Sequence, residues 1–205
     1  VSDGGAREHL TTGSFGWILS DATDTLVTCG GPVTGQPISS FRCEAMGRLS
    51  ALMFLTRYCH FHAIKPSCPL HTYTDNKSVL QTEAKLLGFL TLFPSATTTS
   101  DVDIFLGLID IQRELPWDHI NSAHVKAHQD DNCSFEALSR PAQLNVLADN
   151  IATQELNALE HTTEPTAYPL PSARIHLFQE QVLITSRHLH TLRYGIAETQ
   201  LREYL

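Results

Sequence analysis

The chain is short of positive charge. Fourteen Lys and Arg stand against 22 Asp and Glu over 205 residues, a formal net charge of −8. On its face this deficit argues against a phosphate-backbone partner, whose binding rests on cationic contacts. Long apolar runs are missing too: none approaches the ~20 residues that span a bilayer, so no integral membrane role is expected. The opening stretch, Val1 to Leu10, is polar and glycine-rich, without a basic n-region or an apolar h-region. A secretory signal is therefore not expected, and an intracellular setting, cytoplasmic or nuclear, is. There is no phosphate-cradling glycine loop of the Walker type and no G-x-S-x-G nucleophile motif. Cysteine is sparse and odd in number: Cys29, Cys43, Cys59, Cys68 and Cys133. No pair has the C-x2-C spacing of a zinc or redox site, so free, mostly buried thiols in a reducing compartment are expected.

What is present is enough for a core. The hydrophobic fraction of 42% is that of a globular protein. Phe15 to Leu19 and Thr25 to Cys29 read as strands, with Asp21 to Asp24 as the hairpin turn. A long helix is expected from about Phe41 to Tyr58, with a serine before it as N-cap. Leu70 to Thr74 reads as a buried strand and Asn76 to Leu90 as a helix. Asp101 reads as the cap of another helix, Trp117 to Ala127 as extended, and Gln143 to Leu159 as helical. Strands first, then strand–helix alternation, implies an α/β mixed sheet flanked by helices. Thr162 to Pro171 carries Pro165, Pro169 and Pro171 and reads as a linker. The expected division is a domain over 1–160, a linker over 161–171, and a C-terminal extension over 172–205, a small hairpin plus a helix.

Four acids stand where folding does not ask for them. Asp3 precedes Gly4-Gly5, Glu44 opens an apolar helix, Asp75 ends a strand, and Asp149 lies on a helix among apolar neighbours. Acids at core-facing positions are costly unless paired or bound to metal. Strand ends are also where open α/β sheets place their sites. Carboxylates without cysteine select hard cations, magnesium or manganese rather than zinc. Several together can hold two ions about 4 Å apart, the arrangement that serves phosphodiester hydrolysis. Taken singly, Asp75 also suits a helix cap and Glu44 a helix dipole.

The order of these acids, with their surroundings, resembles the ribonuclease H family over about residues 1–158. The segments that carry the resemblance are Val1-Ser2-Asp3-Gly4-Gly5 with Gly13 to Leu19, Phe41-Arg42-Cys43-Glu44-Ala45, Tyr73-Thr74-Asp75-Asn76, Val125-Lys126-Ala127-His128 and Asn145-Val146-Leu147-Ala148-Asp149. Their spelling is most similar to domains that follow reverse transcriptases in retroelements. The resemblance implies a five-stranded mixed sheet with helices. It implies two Mg2+ ions, with Mn2+ as a substitute, on Asp3, Glu44, Asp75 and Asp149, and proton handling or product release by His128. It places Gly4, Gly5, Arg42, Asn76 and Asn145 beside the substrate. The implied activity is endonucleolytic cleavage of the RNA strand of an RNA–DNA hybrid. The implied partners are that hybrid and a reverse transcriptase domain in the same polyprotein.

Three departures qualify the pattern. Only Val1 and Ser2 precede Asp3, where the family has most of a strand. About ten additional residues, roughly Asp130 to Pro141, separate His128 from Asp149. No lysine-rich helix and loop for gripping the hybrid is found. Two other readings follow: a non-catalytic module of this fold beside a polymerase, or a DNA nuclease of the same fold. His124 and His128 at spacing four suggest zinc only on a helix, and the run looks extended. His60-Phe61-His62 and His188-Leu189-His190 read as solvated surface. The charge deficit then takes a second meaning: weak, salt-sensitive hybrid binding, with the grip supplied by a neighbouring domain.

Overall fold

A computed structural model describes residues 1–7, 12–88, 99–159, 177–179 and 182–204. Strands β1 (Ser2–Arg7), β2 (Thr12–Ser20) and β3 (Thr25–Val33) form an antiparallel meander, with Asp3 opposite Gly16. The β2–β3 turn is fixed by Asp21, whose Oδ1 accepts from the N–H groups of Thr23 and Asp24 at 2.8 and 2.7 Å. An aspartate that mimics a backbone turn in this way explains why the chain reverses there.

Helix α1 (Ser40–Phe61) begins at Ser39, whose hydroxyl accepts from Arg42 N–H. Strand β4 (Leu70–Thr74) runs parallel to β5 (Ile120–His124). Helices α2 (Lys77–Leu87) and α3 (Val102–Glu114) stand between them in sequence. They join α1 in the largest apolar cluster, around Leu49, Leu52, Val79, Ile104, Phe105 and Leu108. Helix α4 (Arg140–Leu159) covers the meander through Leu144 and Ala148 against Ile18. The extended run expected over Trp117 to Ala127 shortens to β5, and α3 begins without a side-chain cap from Asp101. That carboxylate is engaged by Arg42 instead.

The expected single five-stranded sheet is not seen. Among the described residues these five strands form two ladders, β1–β2–β3 and β4–β5. β1 lies beside β4 without joining it. The flank of β4 along Leu70 to Tyr73 faces a cavity also walled by Val1, Ser2, Leu19, Leu52 and Leu55. The architecture is otherwise mixed α/β, as expected.

The proposed linker, 161–171, and residues 172–176 lie outside the described residues. Beyond them β6 (Leu177–Gln179) and β7 (Val182–Ile184) pair antiparallel, and α5 spans His188–Tyr204. The end of β7 is bonded to the body. Gln36 N–H donates to Leu183 O at 2.7 Å, and Thr185 N–H donates to Gln36 O at 2.8 Å. Asp101 N–H in turn donates to Thr185 O at 2.8 Å, and Leu183 is buried. No helix among the described residues is long and apolar enough to cross a membrane. All five thiols are free, but only Cys43 and Cys59 are buried; Cys29, Cys68 and Cys133 are exposed, against expectation. Burial pushes the Cys43 thiol up to about 12, which keeps it protonated and inert.

Candidate active site

The site is assembled where β1, α1 and the end of β4 meet. Close approach of the first two depends on Gly4. A Cβ there would lie 2.3 Å from the Cys43 carbonyl carbon and 2.4 Å from Glu44 N. Without a side chain the helix settles onto the strand, and Glu44 comes beside Asp3. Gly16 does the same for α4, since its Cβ would meet Ala148 O at 2.4 Å. Gly4→Ala should therefore cost several kcal/mol, as overpacking against backbone does. A fall in the denaturant midpoint, measured against wild type, checks this; an unchanged midpoint would contradict the packing.

Asp3, Glu44 and Asp75 each turn one carboxylate oxygen to a common point, all within 4.8 Å of one another. Asp3 and Glu44 are buried, and Asp75 is partly exposed. Gly4 N–H donates to Asp3 Oδ1 at 2.6 Å, and Asn145 Nδ2 donates to Asp3 Oδ2 at 3.3 Å. The buried Thr74 hydroxyl donates to Glu44 Oε2 at 3.1 Å and accepts from Asn76 N–H at 3.2 Å. Among the described residues no ion pair reaches Asp3, Glu44 or Asp75.

Three such groups cannot all be charged at ordinary cost. Burial, then the charges of Asp75 and Asp149, push Asp3 up to about 6, against the opposing bonds from Glu44 and Gly4. Burial first, then Asp3 and Asp75, hold Glu44 well above the usual carboxylate range. Asp149, on α4, is raised by burial; His128 opposes the shift, and Asp75 and Asp130 add to it. Asp149 is thus within electrostatic reach of the cluster and of His128, but it is not among the three that share the common point. Asn145 and Asp149 are four apart on α4, so both project from one face of that helix.

The donor set fits divalent cations. All its ligand atoms are oxygens, no cation among the described residues pairs with the buried negative charge, and Asn145 Oδ1 is buried without a partner. Hard ions of the Mg2+ or Mn2+ type suit such a site. The zinc alternative finds no third ligand: among the described residues the group that could hold a metal is Asp3, Glu44 and Asp75, without His124 or His128.

The charge frustration has a measurable sign. The folded pKa of Asp3, about 6, stands above its ordinary 3.8, so the folded state holds a proton that the unfolded chain has released. The resulting penalty is absent below about pH 4, grows as pH rises, and is complete above about pH 6, at about 3 kcal/mol. Glu44 contributes with the same sign. In EDTA, Glu44→Gln should melt above wild type at pH 7.5 and lose that advantage near pH 4. Calorimetry at both pH values checks it; an equal difference at both would rule out repulsion as the cause.

The other residues expected at the substrate fall into different places. Arg42 is a correction: it is fully buried, with its guanidinium on Asp101 and Asp103 at 2.8–2.9 Å and on Thr34 O at 2.7 Å. Residues 42 and 44 sit about 200° apart around a helix, so Arg42 turns away from the point that Glu44 faces. Asn76 caps α2, its Oδ1 accepting from Ser78 and Val79 N–H. Gly5 lies against Leu156, and Asn145 stands in the cluster. His128 is exposed, with a left-handed backbone (φ 51°), directly before a short 3-10 turn, Gln129–Asp131. Thr74 and His124 were not anticipated. A threonine before the strand-end acid was the only available hint for the first; the second depends on β4–β5 register.

A β1–β2–β3 meander beside a parallel β4–β5 pair, with helices around it and acids at β1, α1 and the end of β4, is the fold of ribonuclease H domains. The solution structure of the prototype foamy virus RNase H domain superposes with a TM-score of 0.54 at 18% identity, covering 77% of this chain and 92% of that one. RNase H1 isolated from compost by a metagenomic approach gives 0.53 at 14% identity, covering 78% and 94%. The foamy viral protease–reverse transcriptase in complex with RNA/DNA hybrid gives 0.53 at 14% identity, covering 77% of this chain and 19% of that one. No protein-family model matches the sequence, and no curated protein sequence matches it.

Proposed function

We propose that this chain is a metal-dependent endonuclease that hydrolyses the RNA strand of RNA–DNA hybrids. The observation that carries the reading is the cluster of Asp3, Glu44 and Asp75, the first two buried and the third partly exposed, mutually frustrated and without a cationic partner among the described residues, on a ribonuclease H fold. Asp3, Glu44, Asp75 and Asp149 would hold two divalent cations, which when bound lower the pKa of an attacking water and stabilise the leaving oxygen. Thr74 and Asn145 fix the rotamers of Glu44 and Asp3 through their hydrogen bonds. His128, exposed and electrostatically coupled to Asp149, would take or give a proton as products leave.

We further propose that the chain works beside a reverse transcriptase domain of the same polyprotein. Its fold likeness to a segment of the foamy viral protease–reverse transcriptase supports this, as does its shortage of Lys and Arg. The proposed domain division is 1–160, 161–171 and 172–205, supported at the last by the backbone bonds of Leu183 and Thr185 to Gln36 and Asp101.

The test is a cleavage assay on a labelled hybrid, duplex DNA and duplex RNA, each with Mg2+, Mn2+ or EDTA. Cleavage of the RNA strand of the hybrid alone, in either metal and not in EDTA, is expected. Cleavage of duplex DNA would favour a DNA nuclease of the same fold. No cleavage of any substrate would favour a structural module.

A further inference from the structure

The acids of this chain are not spread evenly. From Ala45 to Thr74 there is no Asp or Glu, while Arg48, Arg57 and Lys65 fall in that stretch with His60, His62 and His71. Arg48 is buried on Glu83 at 2.7 Å. Arg57 and Lys65 are exposed, and they flank the last turn of α1.

Aromatic rings are interleaved with these cations. Phe54, Tyr58 and His62 follow one another at spacing four along a single helix face. Their rings form a column: Trp17 to Phe54 at 5.3 Å, Phe54 to Tyr58 stacked at 5.9 Å, Tyr58 to His62 at 4.5 Å, and His62 edge-on to Phe61 at 4.9 Å. The column is anchored in the core at Trp17 and ends in solvent, with Tyr58 47% and Phe61 85% exposed. The backbone beneath it is well bonded: His62 N–H donates to Tyr58 O, Ala63 N–H to His60 O and Ile64 N–H to Cys59 O. Cations at a helix C-terminus are favoured by the helix dipole in any protein. That accounts for Arg57 and Lys65, but not for a phenyl ring left 85% exposed between them at the end of a ring column.

We propose that this end of α1 is a docking platform for single-stranded nucleic acid. A base stacks on Phe61, at the exposed end of the ring column, and Arg57 and Lys65 meet the phosphates. Aromatic faces interleaved with cations are how proteins hold single strands without reading sequence. The occupant is the unpaired extension of a hybrid, an assignment that rests on the proposed nuclease activity. The platform lies roughly 25 Å from Glu44 along the helix axis, too far to touch the cleavage point. It supplies grip that the acidic cleft does not.

The experiment uses the full chain in EDTA, so that no probe is cut. Fluorescence anisotropy compares a blunt hybrid with the same hybrid carrying a single-stranded extension of about 12 nucleotides. Wild type should prefer the extended probe. The triple variant Arg57→Gln, Phe61→Ala, Lys65→Gln should weaken binding of the extended probe about tenfold or more. Its salt slope should flatten by about 1.4, for two lost phosphate contacts on a single strand. Phe61→Trp alone should retain the preference. Blunt-hybrid cleavage in Mg2+ should stay within about twofold of wild type, since these residues lie outside the acid cluster. No preference for the extension in wild type, or equal affinity in the triple variant, overturns the platform and points to a protein-docking face. The two readings fail separately. An inactive wild type whose extension binding still depends on Phe61 removes only the nuclease, and an active one indifferent to the triple change removes only the platform.

Discussion

Asp75→Asn should reduce hybrid cleavage by roughly a thousandfold or more while leaving the fold standing. The loss is large because a charge is removed from the point where the three carboxylates converge. Removing one preorganised electrostatic group from a reaction centre commonly costs two to three orders of magnitude, and a metal ligand at least as much. The fold survives because Asp75 does little for it. Helix α2 is capped by Asn76, not by Asp75, and the contact with His124 Nε2 uses the Asp75 carbonyl, which the variant keeps. Relief of repulsion on Asp3 and Glu44 should even raise the melting temperature in EDTA. With Mg2+ present wild type should gain stability by mass action and the variant should gain far less. Cleavage by Asp75→Asn at the native rate would remove the acid cluster from the mechanism.

The convergence of Asp3, Glu44 and Asp75 was legible in the order of the acids and their surroundings taken together; singly, Asp75 also suited a helix cap and Glu44 a helix dipole. The helices and strands around them were legible for the same reason that they form: periodic apolar residues, a serine cap at 39, a turn-forming aspartate at 21. Three things were not. Arg42 sits in the motif beside Glu44, and adjacency in sequence suggested adjacency at the site; the helical rotation of about 200° between positions 42 and 44 sends them apart. His124 reaches Asp75 only because parallel pairing sets Thr74 opposite His124, and register cannot be read from composition. The docking of β7 uses backbone bonds from Gln36 and Asp101, and backbone groups carry no sequence signature.

Arg42→Met should lower stability by about 3–5 kcal/mol, the usual cost of stranding buried charges. For a chain of this size that is a fall in melting temperature of roughly 6–20 °C. The arginine donates from Nη1 to Asp101 and Asp103 and from Nη2 to Asp103, with almost no exposure on any of the three. Burial already pushes Asp101 up despite Arg42 beside it, so without the guanidinium that carboxylate is left without its main stabilising charge. The damage should spread to the C-terminal segment, because Asp101 also donates its N–H to Thr185 at the end of β7. Hydrogen exchange at 182–185 should therefore quicken in the variant more than exchange in β2. Combining Arg42→Met with Asp101→Asn and Asp103→Leu should recover much of the loss, since a neutral trio carries no unpaired charge. At a temperature where Arg42→Met remains folded, its KM for the hybrid should match wild type, because the side chain faces the α3 terminus and not the acid cluster. A raised KM with unchanged stability would instead return Arg42 to the substrate side, and would mean that the buried trio is not what holds α1, α3 and β7 together.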